Sequence, residues 1–442
     1  MDQAVAVGHR VEAADWAAEV DRLLDRMAGR FGRVETRRRV RGFVFGLLAD
    51  LPRKNCWTIA EHAGDTTPHG MQHLLARARW DTDGVRDDLR DYVIGAFGET
   101  DGILIVDETG DLKKGSATVG VQRQYTGTAG RVENAQVAVY LAYAGARGHA
   151  MIDRELYLPQ SWAGDPDRLD TAGVPADIGF ATKPALAAGM LSRALAAGVP
   201  ARWVTADEVY GADPCLRADL EIQRVGYVLA VGCDRRVPTA VGPVRVDVLA
   251  AGLDRWAWQR VSAGVGAKGP RIYEWAWIDH TERRLRDDVL DTQQWTVLVR
   301  RHPHTGELAF YRCYSPHPVP LRELVRVAGC RWSIEENFQT GKGLAGLDEH
   351  QLRRWISWQR WTLLAMIAHA LLAVLAASAH EGDIVGMIAL TCNEIRRLFT
   401  VLIVEPTRPV ACPLNWSAWR RRHQHRAKIS HYQRRGAEPP TT

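Results

Sequence analysis

Two short apolar segments that each end in an aspartate most constrain how this chain can fold. Residues 103–106 (ILIV) precede Asp107, and residues 203–206 (WVTA) precede Asp207. Such runs predict buried strands, but acids at strand ends are common, so neither aspartate alone indicates function. If the two strands lie side by side, both carboxylates reach one edge of the sheet and raise each other's pKa, which favours a bound divalent cation.

Further strands and helices are predicted around these two segments. Their sequence patterns indicate strands at 136–144 and 150–158, a helix at 183–197, and a helix and a strand at 214–223 and 226–231. With the two aspartate strands this gives the order β-β-β-α-β-α-β, which is that of the ribonuclease-H-like fold. We therefore predict an α/β protein with a ribonuclease-H-like mixed sheet, a β-rich insert and a helical N-terminal region.

The predicted organisation has five parts. They are a helical region (1–95), the first part of the core (96–232), a β-rich insertion domain (233–318), the helical second part of the core (319–415) and a basic, partly disordered tail (416–442). Tryptophans alternate in the insert at 256/258 and 275/277. We interpret them as the insert's own small core, with stacking of an unpaired base as the alternative.

The N-terminal region contains a candidate DNA-binding motif. A helix at 57–63, a turn at 64–68 and a second helix at 69–80 have the rhythm of a helix-turn-helix, with Arg77 and Arg79 on the second helix. Helical hairpins of this length also occur in proteins that do not bind DNA. Arginine clusters elsewhere, at 37–39, 353–354 and 420–422, favour a polyanionic partner, with solvated helix faces as the alternative.

Composition narrows the classes of protein that need to be considered. The seven cysteines include no C-x-x-C pair, which indicates neither a disulfide framework nor a zinc site. The N-terminus lacks the apolar stretch of a signal peptide, so we expect a cytoplasmic protein. Residues 362–379 are apolar and long enough to span a membrane, but they include His369 and many alanines. A buried core helix is the better interpretation, and we expect no membrane partner.

A third acidic element lies in a predicted helix near 321–340. Arg331, Glu335 and Lys342 are spaced by four and seven residues, which places all three on one helical face if the helix continues that far. Glu335 would add a third carboxylate and the two cations would flank it. Metal ions, acids and basic side chains together are what phosphodiester chemistry requires.

Neighbouring acids compete for these roles. Glu108, Glu208 and Glu336 each adjoin a proposed ligand, and adjacent side chains should diverge, so we expect them to point elsewhere. The spacing of Arg331 and Lys342 selects Glu335 over Glu336. Asp111 is a weaker alternative to Asp107.

Three sequence blocks resemble bacterial insertion-sequence transposases of the DDE superfamily. Residues 106–141 (VDETGDLKKGSATVGVQRQYTGTAGRVENAQVAVYL) resemble the block around the first aspartate, and 206–211 (ADEVYG) resemble the second. Residues 331–355 (RWSIEENFQTGKGLAGLDEHQLRRW) resemble the third block, a Tyr-x2-Arg-x3-Glu-x6-Lys pattern. Arg331, Glu335 and Lys342 match it, but Ala328 stands at the tyrosine position. The resemblance extends over about residues 30–425.

This resemblance implies a transposase with Asp107, Asp207 and Glu335 as its catalytic, metal-binding triad. It implies two Mg²⁺ ions, for which Mn²⁺ can substitute. The expected partners are duplex DNA, namely transposon terminal inverted repeats and target DNA, with a homodimer as the working form on the bacterial nucleoid.

Residues expected to contact DNA are Arg331, Lys342, Lys113, Lys114, Arg77 and Arg79. Solvated loop lysines are the alternative for Lys113 and Lys114. Two other functions stay open at this point: a domesticated, non-catalytic DNA-binding protein, and a metal-dependent nuclease without strand transfer.

Overall fold

A mixed sheet of ten strands lies at the centre of the molecule. The computed structural model describes residues 12–239, 241–266, 269–279, 285–286, 289–290, 293–380, 387–404 and 411–434. The ten strands are β1 (Gly102–Leu112), β2 (Gln122–Thr126), β3 (Arg131–Gly145), β4 (Gly148–Leu156), β5 (Ala201–Ala206), β6 (Gly226–Val231), β9 (Gln259–Gly266), β10 (Gly269–Asp279), β13 (Gln294–Arg301) and β14 (Leu308–Ser315). Two small hairpins pair β7 (Arg236–Val237) with β8 (Val244–Arg245) and β11 (Leu285–Arg286) with β12 (Val289–Leu290).

Helices precede and follow the sheet and connect its parallel strands. They are α1 (Ala13–Arg26), α2 (Val34–Leu48), α3 (Cys56–His62), α4 (His69–Ala76), α5 (Thr82–Phe97), α6 (Gln160–Ala163), α7 (Pro166–Ala172), α8 (Lys183–Ala196), α9 (Glu208–Gly211), α10 (Pro214–Ile222), α11 (Val246–Ala251), α12 (Leu321–Cys330), α13 (Trp332–Ala345), α14 (Trp355–His380), α15 (Cys392–Phe399) and α16 (Ala411–Arg434). A π-helical turn, Thr400–Val404, follows α15.

The sheet has the predicted ribonuclease-H-like order. β4 pairs with β3, β3 is antiparallel to β1, β1 is parallel to β5, and β5 is parallel to β6. The two aspartate strands are therefore adjacent and parallel, as the sequence predicts. β1 also continues past Asp107 to Leu112, because its second half still pairs with β3. Most side chains of this second half are only partly buried, unlike those of residues 102–106. The apolar pattern stops at Val106 for that reason.

The insert's strands extend the same sheet. β14 is antiparallel to β6, and β13, β10 and β9 follow it outward. A separate small core of valines and Phe310 packs beside these strands, with Trp258 partly buried against it. Trp275 is buried in the main core of the molecule instead, and Trp256 is 79% exposed, so these tryptophans do not form a small core of their own as the sequence predicted. The division of the chain into five domains stays a prediction.

The N-terminal helices pack on α14. Arg360 of α14 donates to the carbonyls of Leu74, Leu75 and Ala78, and the indole of Trp80 also donates to Leu74. These side-chain bonds replace helical ones, so α4 ends at Ala76. Arg77 and Arg79 lie beyond the helix rather than on it, which corrects the sequence-based prediction; both are exposed.

The apolar segment of α14 is a core helix. It is long and apolar enough to cross a membrane, but 78% of its most apolar stretch is buried inside the protein, as predicted. Near the C-terminus, residues expected to form a partly disordered tail are helical in α16 as far as Arg434. Residues 435–442 lie outside the described part of the chain.

Candidate active site

Asp107 and Asp207 lie side by side at one edge of the parallel strand pair. Val106 and Ala206, which immediately precede them, are direct neighbours in the β1–β5 register. Asp207 caps the short helix α9 and accepts a hydrogen bond from the Val209 amide. Oxygens of Asp107, Asp207 and Glu108 all lie within 4.8 Å of one another. Glu108 thus joins the two aspartates, whereas the sequence predicted Glu335 as the third acid.

Crowding and burial make the ionised form of these acids costly. Burial, and then the charge of Asp207, raise the pKa of Asp107 to about 7. Burial and the charge of Glu108 also raise the pKa of Asp207. A divalent cation between them would favour the ionised forms, since hard carboxylate oxygens are the ligands that Mg²⁺ prefers.

Glu108 does not point away from the site, contrary to the sequence-based expectation. Adjacent side chains leave a strand on opposite faces, but glutamate is one methylene longer than aspartate and its carboxylate reaches back to the pair. Its two oxygens are held by other groups, with Lys183 Nζ at 2.6 Å from Oε1 and the Tyr210 hydroxyl at 2.6 Å from Oε2. Glu208, by contrast, is exposed, as expected.

Glu335 is joined to Asp107 through Arg331. The guanidinium of Arg331 lies 3.1 Å from Asp107 Oδ2 and 2.8 Å from Glu335 Oε1. Burial alone would lower the pKa of this guanidinium, but Asp107 and Glu335 raise it. The predicted continuous helix is interrupted here, because α12 ends at Cys330 and α13 begins at Trp332, with Arg331 between them as the N-cap of α13. The four-residue spacing still places Arg331 and Glu335 on one face.

Glu336 faces a different part of the molecule. Its Oε2 lies 3.3 Å from His149 Nε2 on β4, and this hydrogen bond lowers the pKa of Glu336. The other ring nitrogen of His149 lies 2.8 Å from the Asn337 side chain. The partners of Glu336 therefore favour Glu335 as the acid directed to the site.

Lys342 and Lys113 are engaged by Asp111 rather than by the acid cluster. Lys342 Nζ lies 3.0 Å from Asp111 Oδ1 and also donates to the Gly110 carbonyl. Lys113 is buried and donates to the carbonyls of Asp348 and His350. The ammonium of Lys113 is buried and has backbone acceptors, so it is not available to DNA and its expected phosphate contact is corrected to a structural one. The side chain of Lys342 is 16% exposed, and its phosphate contact stays a prediction.

Asp111 itself is the centre of a second, buried cluster. Burial opposes its ionisation, but the imidazole of His350, whose Nε2 lies 3.6 Å from Asp111 Oδ2, and the charges of Lys342 and Lys113 lower its pKa far below the ordinary range. Burial, in turn, lowers the pKa values of Lys113 and His350. With these partners Asp111 joins β1 to α13 and is not an alternative to Asp107.

The remaining predicted DNA contacts lie apart from the acids. Lys114, Arg77 and Arg79 are exposed, the first just after the end of β1 and the other two after α4. The sequence did not single out Lys183 or Tyr210, which contact Glu108. No local pattern marks them, because each reaches β1 only through the packing of α8 and α9.

The chain is similar to known DNA-processing proteins. A family model described as DDE superfamily endonuclease matches residues 26–252. A probable transposase for insertion sequence element IS701 from Microchaete diplosiphon is 34% identical over 170 residues, which are 38% of this chain and 41% of that protein. A cryo-electron microscopy structure of a piggyBac transposase synaptic complex with hairpin DNA aligns with a TM-score of 0.38 and 12% identity, covering 90% of this chain and 75% of that one.

Proposed function

This chain belongs to the DDE superfamily of endonucleases, and we propose that it is a transposase that cleaves DNA at transposon ends and joins them to target DNA. The observation that supports this most directly is the meeting of Asp107 and Asp207 on adjacent parallel strands, with Arg331 linking Asp107 to Glu335. The IS701 relative, with which the chain shares about two fifths of that protein's length, supports the transposase assignment.

The donor set fits divalent metal ions. Asp107, Asp207 and Glu335 would hold two Mg²⁺ ions, for which Mn²⁺ would substitute, because all three offer carboxylate oxygens. Oxygens of the two aspartates lie within 4.8 Å of each other and repel without a cation. Glu335 is linked to Asp107 through Arg331. When bound, the ions supply an activated attacking oxygen and stabilise the leaving oxygen. A non-catalytic binding protein has no use for such a set of acids.

Arg331 would serve the DNA phosphate. Its guanidinium has donors in a fork that suits phosphate oxygens, and its side chain is 28% exposed. With no phosphate present it pairs with Asp107 and Glu335. It thus holds positive charge where a phosphodiester must enter.

Duplex DNA is the proposed partner outside the acid cluster as well. Arg77, Arg79 and Lys114 offer exposed cations for phosphate contacts. Joining two ends requires that both be held together, so a homodimer on DNA in the bacterial cytoplasm is the proposed working form.

The catalytic assignment is tested by removing one carboxylate charge at a time. We expect Asp107→Asn or Glu335→Gln to reduce Mg²⁺-dependent cleavage of a plasmid carrying the gene's flanking DNA by more than about 100-fold. Loss of a group that only orients a metal ligand costs about 10–100-fold, and loss of a ligand should exceed that. Glu208→Gln is the matched control, since Glu208 is exposed and adjoins Asp207. Glu336→Gln acting like Glu335→Gln would show that the glutamate is misassigned.

The same assay separates a transposase from a simple nuclease. A transposase joins the cut ends to a second plasmid, and a nuclease leaves linear fragments only. Persistent cleavage without joined products, at every target plasmid concentration, would exclude strand transfer.

DNA binding by the N-terminal region needs its own test. We expect Arg77→Gln with Arg79→Gln to weaken binding of a flanking-DNA duplex and to lower its salt dependence by about 0.9 for each phosphate that the variant no longer neutralises. Arg224→Gln is the control, because Arg224 is exposed at the turn before β6, at the opposite edge of the sheet from the acids. Equal binding by both proteins would place the DNA elsewhere.

A further inference from the structure

The first residue of α8 brings a lysine to the acid cluster. Lys183 Nζ lies 2.6 Å from Glu108 Oε1, and Glu108 is within 4.8 Å of both Asp107 and Asp207. Thr182 caps the helix and Pro184 follows within its first turn, so the local backbone around Lys183 is fixed. The side chain is 22% exposed, which leaves its ammonium within reach of a bound substrate.

Glu108 is held from two sides. Its second oxygen accepts a hydrogen bond from Tyr210, whose ring is completely buried. With one oxygen on a lysine and the other on a phenol, its charge is already compensated. Glu108 is therefore poorly suited to be a third metal ligand, although its oxygens lie close to the two aspartates.

Lys183 reaches the site from the face of the sheet opposite to Arg331. Asp107 and Asp111 share one face of β1, and α13 packs there through Lys342. Glu108, the next residue after Asp107, leaves the strand on the other face, where it meets α8. A phosphate at the aspartate pair would thus lie between two cations from different elements.

We propose that Lys183 is a phosphate-binding residue of this active site, held in position by Glu108 and Tyr210; this inference rests on the proposed function. An ammonium has three donors, and the ion pair of Lys183 with Glu108 needs only one of them. Lys183 can therefore keep that contact while it donates to a non-bridging oxygen of the scissile phosphate. The point charge of the lysine complements the planar fork of Arg331.

The alternative is an ion pair that only fixes α8 to the sheet. The same helix offers a matched example of that role in Arg193, which pairs with Asp153 at 2.9 Å and with Glu155 at 2.6 Å on β4. Arg193 lies almost three turns from Lys183 along α8. Comparing the two residues separates phosphate binding from attachment of the helix.

The first experiment measures DNA binding against salt. A fluorescein-labelled duplex of about 30 base pairs and arbitrary sequence is titrated in Ca²⁺ buffer from about 50 to about 300 mM KCl, a range over which phosphate contacts weaken strongly. We expect Lys183→Met to lower the slope of log Kd against log salt by about 0.9 and to weaken binding roughly tenfold at about 0.1 M salt. Lys183→Arg should restore most of the slope, and Arg193→Met should leave it unchanged while lowering the Tm. A Lys183→Met protein with a normal slope and a lowered Tm would overturn the proposal.

The second experiment asks what Glu108 holds. Binding of Mn²⁺ alone is followed by electron paramagnetic resonance in the full-length protein. We expect Glu108→Gln to retain Mn²⁺ affinity within about threefold, well short of the roughly 10–100-fold typical of a residue that supports a metal ligand. Asp107→Asn should lose Mn²⁺ binding. If Glu108→Gln loses it as completely, Glu108 is a metal ligand and the positioning role fails. If Asp107→Asn retains it, the metal site of the proposed function fails instead.

Discussion

Two acids on one face of β1, only four residues apart, lie in opposite environments. Asp107 stands among other acids, with Asp207 and Glu108 close by, and its pKa is raised to about 7. Asp111 stands among cations, and its pKa is lowered far below its ordinary value. Both aspartates contact the same helix, α13: Asp107 pairs with its N-cap residue, Arg331, and Asp111 pairs with Lys342.

Asp107 lies in a site whose negative charge calls for a bound cation, whereas the charge of Asp111 is already balanced by side chains of the protein. At Asp107 the acids outnumber the nearby cations, so the folded protein is destabilised there by an amount that bound divalent metal ions can offset. At Asp111 the charges of Lys342 and Lys113 balance those of Asp111 and its neighbour Asp348, and the cluster is buried and internally paired. The second cluster fixes α13 to β1 and so helps to position Glu335.

The largest effect is expected at the buried cluster. Asp111→Asn removes the carboxylate nearest to Lys113 and Lys342, and removal of one partner from a buried ion pair typically costs about 3–5 kcal/mol. The free energy of unfolding, measured with urea, should fall by about that amount at both pH 5 and pH 8, because the lowered pKa keeps Asp111 ionised at both. A loss of under about 1 kcal/mol would contradict the structural role of this cluster.

At Asp107 we expect the opposite effect, a gain in stability when the carboxylate is removed. Folding raises its pKa from the ordinary 3.8 to about 7, so the folded protein binds this proton more tightly than the unfolded chain does. Stability is therefore lost as the pH rises from about 4 to about 7. In metal-free buffer at pH 8, Asp107→Asn should raise the free energy of unfolding by about 2–4 kcal/mol, since one pKa unit corresponds to about 1.4 kcal/mol.

The gain from Asp107→Asn should shrink as the pH falls and disappear near pH 4, where the carboxyl is protonated in both states. Saturating Mg²⁺ should also reverse it, because only the wild-type protein retains the full set of carboxylate ligands. A variant that is less stable than wild type at pH 8 without metal would show that Asp107 supports the fold.

A smaller effect is expected at Lys342, where substitution should change the stability of the protein and not its DNA binding. Lys342→Met keeps the aliphatic stem but loses the ammonium that contacts Asp111, at a cost of about 1–3 kcal/mol for bonds to a charged group. The Tm should fall and the salt dependence of DNA binding should stay as in wild type. Lys114→Met is the matched control, since Lys114 is exposed and its loss should leave the Tm unchanged. A lower salt slope with an unchanged Tm for Lys342→Met would show that Lys342 contacts phosphate, as the sequence predicts.

Much of the fold could be predicted because it follows from local patterns. The apolar runs before Asp107 and Asp207, and the order of strands and helices around them, predict adjacent parallel strands, and the structure confirms them. Arg331 and Glu335 also behave as their four-residue spacing requires, despite the break at the start of α13. Periodicity and strand order decide such features without reference to distant residues.

Residue spacing specifies which side chains share one face of a helix or strand, but the packing of separate elements specifies which partners that face meets. Lys342 shares a helical face with Glu335, yet it pairs with Asp111 because α13 crosses β1 beyond Asp107. Glu108 was expected to diverge, yet it joins the aspartates because Lys183 and Tyr210, distant in sequence, hold it there. Charge pairing in a partly buried site depends on distances of a few ångströms between separate elements, and spacing along one element cannot specify those distances.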